Sequence, residues 1–159
     1  MPGSPVGRSR RAFALAAGIV IGLDQLTKQL ALSGLDDGPI DLPGSFRLRL
    51  TFNDGAAFSL GSGRTTWIAL LASAIAVGIA VAGLRATRTA VAAGYGVVFG
   101  GAAGNLIDRA LRDGDGFLGG RVVDFVDPQW WPVFNVADAS LWVGIAILVV
   151  TSLREPSAE

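Results

Sequence analysis

The chain has 159 residues, of which 51% are hydrophobic and 16% charged; this excludes a disordered chain and an ordinary soluble domain. Thirteen Lys+Arg balance thirteen Asp+Glu, so there is no basic surplus for a nucleic-acid partner. The absence of Cys and His excludes disulfides, thiolate nucleophiles, Cys- or His-ligated metals and a Ser-His-Asp triad, and leaves chemistry to carboxylates, amides, hydroxyls, Lys and Arg.

Residues 1–11 carry Arg8, Arg10 and Arg11 and read as a tail. Residues 12–33 read as a first membrane span, apolar from Ala12 to Leu23 and continued by Gln25, Leu26, Leu30 and Leu32. Asp24 and Lys28 interrupt it four residues apart, so they share a helix face and can pair. A signal peptide competes for this stretch, with the arginines as n-region and Ala12–Leu23 as h-region. Asp24, Gln25 and Lys28 then fall where a cleavage region should be small and neutral, which favours an uncleaved span. Segment 34–64 lies outside the membrane. Pro39, Pro43 and Gly44 are turn signals, Phe46–Phe52 alternates like a strand, and Asn53-Asp54-Gly55 ends it.

Thr65–Leu84 and Thr89–Ile107 are uncharged and long enough to cross ~30 Å of hydrocarbon. They predict spans at 65–84 and 89–110. In the latter, Gly96, Gly100 and Gly104 recur every four residues and offer a smooth face for close approach. Asn105, Asp108 and Arg109 follow at i, i+3 and i+4, and an Asp108–Arg109 ion pair at the helix end is one reading of them. Segment 111–134 is again external. Asp113-Gly114-Asp115-Gly116 reads as a turn rather than a calcium loop, because Phe117 occupies the next ligand position. Arg121–Val126 reads as a short strand, and Trp130 and Trp131 as interface anchors. Residues 135–153 form the fourth span, with Asn135 available as its N-cap.

With four spans, Arg8, Arg10 and Arg11, then Arg85 and Arg88, then Arg154 lie on one side, which the positive-inside rule makes cytoplasmic. Counting ~1.5 Å per residue from these arginines puts Asp24 about 20 Å up its helix. Asn105 and Asp108 come out at ~25–30 Å and Asp138 at ~24 Å. Polar groups from three spans therefore converge near the outer boundary, beneath loops carrying Asn53 and Asp124. Two carboxylates sharing a proton could there activate water against a carbonyl, needing neither His nor Cys. Spacing alone does not choose which Asp residues form the pair. A proton-coupled carrier would spread its polar groups through the membrane's depth instead. An assembly protein packing through its Gly ridge gives no reason for Asp and Asn to gather at one level.

Five blocks carry a resemblance. They are Leu23-Asp24-Gln25-Leu26-Thr27-Lys28, Phe52-Asn53-Asp54-Gly55-Ala56-Ala57-Phe58-Ser59, Gly104-Asn105-Leu106-Ile107-Asp108-Arg109, Val122-Val123-Asp124-Phe125 and Phe134-Asn135-Val136-Ala137-Asp138. In this order the chain resembles the lipoprotein signal peptidases (signal peptidase II), membrane aspartic peptidases of bacteria, from about Ala12 to Leu153. The resemblance implies an all-α membrane protein of four transmembrane helices, with a small extracytoplasmic β-cradle and a short periplasmic-side helix. It implies Asp124 and Asp138 as catalytic dyad. Asn53, Gly55, Asn105 and Asn135 would support the dyad or the substrate, Arg109 would contact substrate carbonyls, Asp108 would hold Arg109, and Asp24 would be a structural or orienting group. The implied substrate is a prolipoprotein with a diacylglyceryl-Cys, cleaved just before that Cys. The implied setting is the bacterial inner membrane, with cytoplasmic termini and an extracytoplasmic active site. No metal, cofactor or nucleic acid is expected, membrane lipids are, and the protein is expected to act as a monomer. Two departures stand out: a short gap between Asp124 and Asp138, and Ala139 where Ser or Thr is frequent.

Overall fold

The computed structural model describes residues 4–54, 64–114 and 116–154. Four helices, α1 (Pro5–Gly34), α2 (Arg64–Arg85), α3 (Thr89–Leu111) and α4 (Val136–Leu153), are each long and apolar enough to cross a membrane. Helix α1 begins before the expected residue 12. Pro5 sits in its first turn, and Ser4 Oγ accepts from the Gly7 amide. Both are strong initiators, since Pro fixes a helical φ and Ser satisfies an orphan N–H. The arginines expected in a tail therefore lie on the first turns of a 30-residue helix. That helix is about 45 Å long, so it outreaches the hydrocarbon. Leu15, Ile19, Leu23, Leu26 and Leu30 form an exposed stripe along it, the face left for lipid.

Helix α3 is the centre of the bundle and packs on α1, α2 and α4. The Gly ridge is what admits α1. A Cβ at Gly100 would stand 2.7 Å from the Val20 Cβ, and one at Gly104 2.5 Å from Asp24 Oδ2. On the opposite face Gly101 seats the Ala137 carbonyl of α4, again with no room for a side chain. Lipid tails are as apolar as Leu, so close backbone approach of this kind supplies the packing that holds membrane helices together.

The arginine-bearing ends meet. Ser9 Oγ donates to the Thr87 carbonyl (2.7 Å), Arg10 to the Leu84 carbonyl (3.4 Å) and Arg88 to the Thr151 carbonyl (3.3 Å). The other end carries a three-stranded antiparallel sheet, β1 (Ile40–Asp41), β2 (Arg47–Asn53) and β3 (Val122–Asp127), in that spatial order. Strands β2 and β3 match the two predicted strands, Phe46–Phe52 and Arg121–Val126, to within a residue. Strand β1 is a two-residue edge too short to leave a pattern. Thr51 faces Asp124 and Asn53 faces Val122 across the β2–β3 ladder. Val123 and Phe125 point to one side and pack on Ala31 and Leu35 at the top of α1. Alternation along the strand turns Asp124 to the other side.

The short external helix has no counterpart among the described residues. The described part of the α3–β3 link is a turn closed by a Gly114–Gly120 bridge, and Asp115 of the predicted turn lies outside the described residues. After β3 the chain doubles back. Val126 and Phe134 exchange backbone hydrogen bonds of 2.9 and 3.0 Å, which sets Asn135 beside the strand just before α4 begins.

Candidate active site

Asn135 caps α4, and its geometry creates the site. Its Oδ1 accepts from the Asp138 amide (2.9 Å), while Asp138 Oδ2 accepts from the Asn135 amide (3.2 Å). This is a capping box with Asp in the place usually held by Glu or Gln. The box leaves Asn135 Nδ2 free to donate to Asp124 Oδ1 at 2.7 Å. One buried side chain thus touches both predicted catalytic aspartates. Asn53 Nδ2 donates to Asp124 Oδ2 (3.1 Å), and Asn105 Nδ2 donates to Asp138 Oδ1 (2.8 Å). Each of the four carboxylate oxygens has an amide donor.

Asp124 is 2% exposed and its pKa is raised to about 6. Burial is the main cause, and the neighbouring charge of Asp138 adds to it, against the donations from Asn53 and Asn135. Like charges close together in a poorly solvated place cannot both ionise easily.

Beneath the two aspartates lies a buried ionic cluster. Lys28 and Asp24 are fully buried and pair at 2.8 Å, as their spacing predicted. Lys28 Nζ also reaches Asp108 Oδ2 (3.0 Å) and donates to Asn105 Oδ1 (2.9 Å). Asp24 Oδ1 accepts from the Ala137 amide (2.9 Å), an orphan N–H of the first turn of α4. Gln25 Nε2 lies within 3.1–3.2 Å of Asp24, the Gly104 carbonyl and Asp108. Asp108 in turn accepts from the Val123 amide (3.1 Å), the residue before Asp124, and pairs with Arg112 (2.8 Å).

The predicted residues Asp24, Asn53, Asn105, Asp108, Asp124, Asn135 and Asp138 are therefore joined in one network. Gly55 lies outside the described residues. The Asp108–Arg109 pair does not form: the oxygens of Asp108 are taken by Lys28, Gln25, Arg112 and Val123. Consecutive helical residues face different ways, whereas Asp108 and Arg112 share a face at i, i+4. Arg109 lies within Coulombic reach of Asp124 and Asp138, as well as of Asp108. It donates to the Asn105 carbonyl (3.4 Å), and its buried Nε has no hydrogen-bond partner among the described residues.

Sequence reasoning missed Lys28, Gln25 and Arg112 as parts of the site. Lys28 carried the same signal as Asp24, an ionisable group inside a span. A groove of about 640 Å³ opens beside Asp138 and runs along α4, lined among others by Trp131, Phe134, Leu141, Trp142 and Ile145.

The family profile described as signal peptidase (SPase) II matches residues 16–154. A lipoprotein signal peptidase of Rhodococcus jostii (strain RHA1) is 43% identical over 155 residues, covering 96% of this chain and 78% of that one. One of Mycobacterium avium (strain 104) is 42% identical over 164 residues, covering 96% and 90%. A bacterial membrane enzyme structure obtained by the in meso method at 1.9 Å resolution superposes with a TM-score of 0.77 at 26% identity, covering 91% of this chain and 94% of that chain.

Proposed function

The chain belongs to the signal peptidase II family, and from that premise we propose that Asp124 and Asp138 form an aspartic dyad that cleaves prolipoproteins at the membrane's outer boundary. The protein is a peptidase that removes signal peptides from prolipoproteins, and its four apolar helices fit the bacterial membrane. The finer reading rests above all on one observation: Asn135 holds both carboxyl groups in one buried amide network.

In this mechanism Asp124, with its raised pKa, holds the shared proton and donates a hydrogen bond to the scissile carbonyl oxygen. Asp138 takes a proton from water as the water oxygen bonds to the carbonyl carbon, its carboxyl held in place by the Asn105 and Asn135 donors. The tetrahedral intermediate collapses with cleavage of the C–N bond, and the proton on Asp138 passes to the leaving amine. The amide frame is fixed before the reaction, so developing charge meets donors already in place.

The substrate is a peptide whose Cys carries diacylglycerol, cut just before that Cys. The apolar groove beside Asp138 lets the acyl chains stay in lipid while the peptide reaches the dyad. Both termini and the α2–α3 link face the cytoplasm, by the clustering of Arg8, Arg10, Arg11, Arg85, Arg88 and Arg154 at the end away from the sheet. The chain acts as a monomer, since both aspartates and all their donors come from it.

Incubating purified protein with a lipidated prolipoprotein tests this by mass spectrometry of the products. Wild type releases the signal peptide with the new N-terminus at the lipidated Cys, and EDTA leaves the rate unchanged. Asp124→Asn and Asp138→Asn each lose at least ~1,000-fold while still inserting in the membrane. Substantial cleavage by either variant removes the dyad, and inhibition by EDTA points to a carboxylate metal site instead.

A further inference from the structure

We propose that Lys28 is a positioning residue of the dyad: it fixes which end of the Asn105 amide faces Asp138. The inference rests on the dyad reading above. An ammonium group has three donors and no acceptor. Lys28 spends all three, on Asp24 Oδ2 (2.8 Å), Asp108 Oδ2 (3.0 Å) and Asn105 Oδ1 (2.9 Å). The two carboxylates already balance its charge, with Arg112 on Asp108 bringing the buried group to neutrality. The third contact, to a neutral amide, is therefore not needed for charge compensation.

Its consequence is orientation. Lys28 can meet only the oxygen end of the amide, so the Nδ2 end must turn toward Asp138 Oδ1, where it sits at 2.8 Å. Reversing the amide would set NH₂ against the ammonium and oxygen against the carboxylate. Asn135 Nδ2, donating to the same Asn105 Oδ1 at 3.0 Å, closes the alternative from the other side. Asp138 is thereby always offered a donor at Oδ1, which holds its carboxyl in place for proton transfer. A buried ion pair is commonly replaceable by packed apolar side chains without loss of stability; here such a replacement would orphan the Ala137 and Val123 amides and leave the orientation of Asn105 to Asn135 alone.

The charged groups around this line are Asp24 on α1, Asp108, Arg109 and Arg112 on α3, Asp124 on β3 and Asp138 on α4. Arg47 and Arg49 of β2 are engaged with Asp127.

The test is the double variant Lys28→Met/Asp24→Asn, which keeps the buried group neutral while removing the ammonium. Using the lipidated prolipoprotein, it is expected to insert and to lose roughly 10- to 100-fold in kcat, with KM within about twofold. An unchanged kcat, or a loss confined to KM, overturns the proposal. If the variant does not insert, ¹⁵N-labelled wild type decides: the Asn105 side-chain amide should exchange slowly, and exchange as fast as that of an exposed amide overturns the proposal. An inactive wild type or an active Asp124→Asn would fail the dyad reading itself, whereas an active wild type with an undisturbed double variant fails only the role of Lys28.

Discussion

The two ends of strand β3 are both held by charge, in opposite ways. At its start, Asp108 accepts from the Val123 amide and is itself paired with Lys28 and Arg112, with Lys28 and Asp108 sealed from solvent. At its end, Asp127 Oδ2 is met by Arg47 (2.7 Å) and Arg49 (3.0 Å), whose side chains are 32% and 43% exposed. The near end fixes the backbone one residue from Asp124. The far end ties two strands together beside water. Dielectric and screening separate them: the Asp127 carboxylate is buried but its arginines reach water and are partly screened, whereas Lys28 and Asp108 meet with both partners buried, and a buried charge that loses its partner is strongly destabilising. The buried anchor adjoins Asp124 of the proposed dyad, and the part-exposed one lies at the far end of the strand.

The widest separation between the two ends comes from Asp108→Ala. It removes one of the two carboxylates around Lys28, takes the partner of Arg112 and leaves the Val123 amide without its acceptor. The expected cost is about 3–5 kcal/mol, read from thermal unfolding in detergent, with loss of cleavage even where the protein still inserts. A variant as stable as wild type would mean that solvent reaches the cluster and the contrast fails.

Much of this was readable before any coordinates. Ionisable residues inside spans are costly enough to be noticed, and counting along helices put Asp24, Asn105, Asp108 and Asp138 at one level. The structure joins all four in one network. What stayed hidden depends on pairing between elements. Arg112 and Asp108 meet because i, i+4 shares a face, yet the adjacent Arg109 drew attention first. Lys28 reaches Asn105 only because Gly100 and Gly104 bring α1 and α3 close. The Asp127 clamp depends on strand register, which sets Arg47 opposite Asp127 and which no single-strand pattern encodes.

A smaller effect separates the same two ends by pH. The pKa of Asp124 is about 6 in the folded protein against ~3.9 unfolded. The native state therefore binds more protons between these values, and stability falls as pH rises through that window, by at most ~3 kcal/mol. Unfolding temperature should decline from about pH 4 to 6 and then level, and Asp124→Asn should remove that part of the slope. A wild-type slope unaltered by the substitution would show that Asp124 titrates as an ordinary carboxyl.

Asp127 should show the opposite sign and the smallest effect. Its hydrogen bond from Arg47 is the main cause that holds its pKa below the usual carboxylate value, with Arg49 adding to it. Its contribution is therefore complete above the unfolded value and fades as pH falls through the depressed one. Asp127→Asn removes the charge and keeps a single acceptor, enough for the Gln129 amide now on Oδ1 (2.9 Å) or for the arginines now on Oδ2, but not for both. Cleavage should stay within about twofold of wild type, because the arginines that hold Asp127 are part exposed and screened by salt, and Asp127 touches none of the amide donors that hold Asp124 or Asp138 among the described residues. The unfolding temperature should shift barely, and less still at high ionic strength. A loss of activity comparable to that of Asp108→Ala would mean that the far end of β3 also positions Asp124, and that the strand transmits strain along its length instead of being set by its buried anchor.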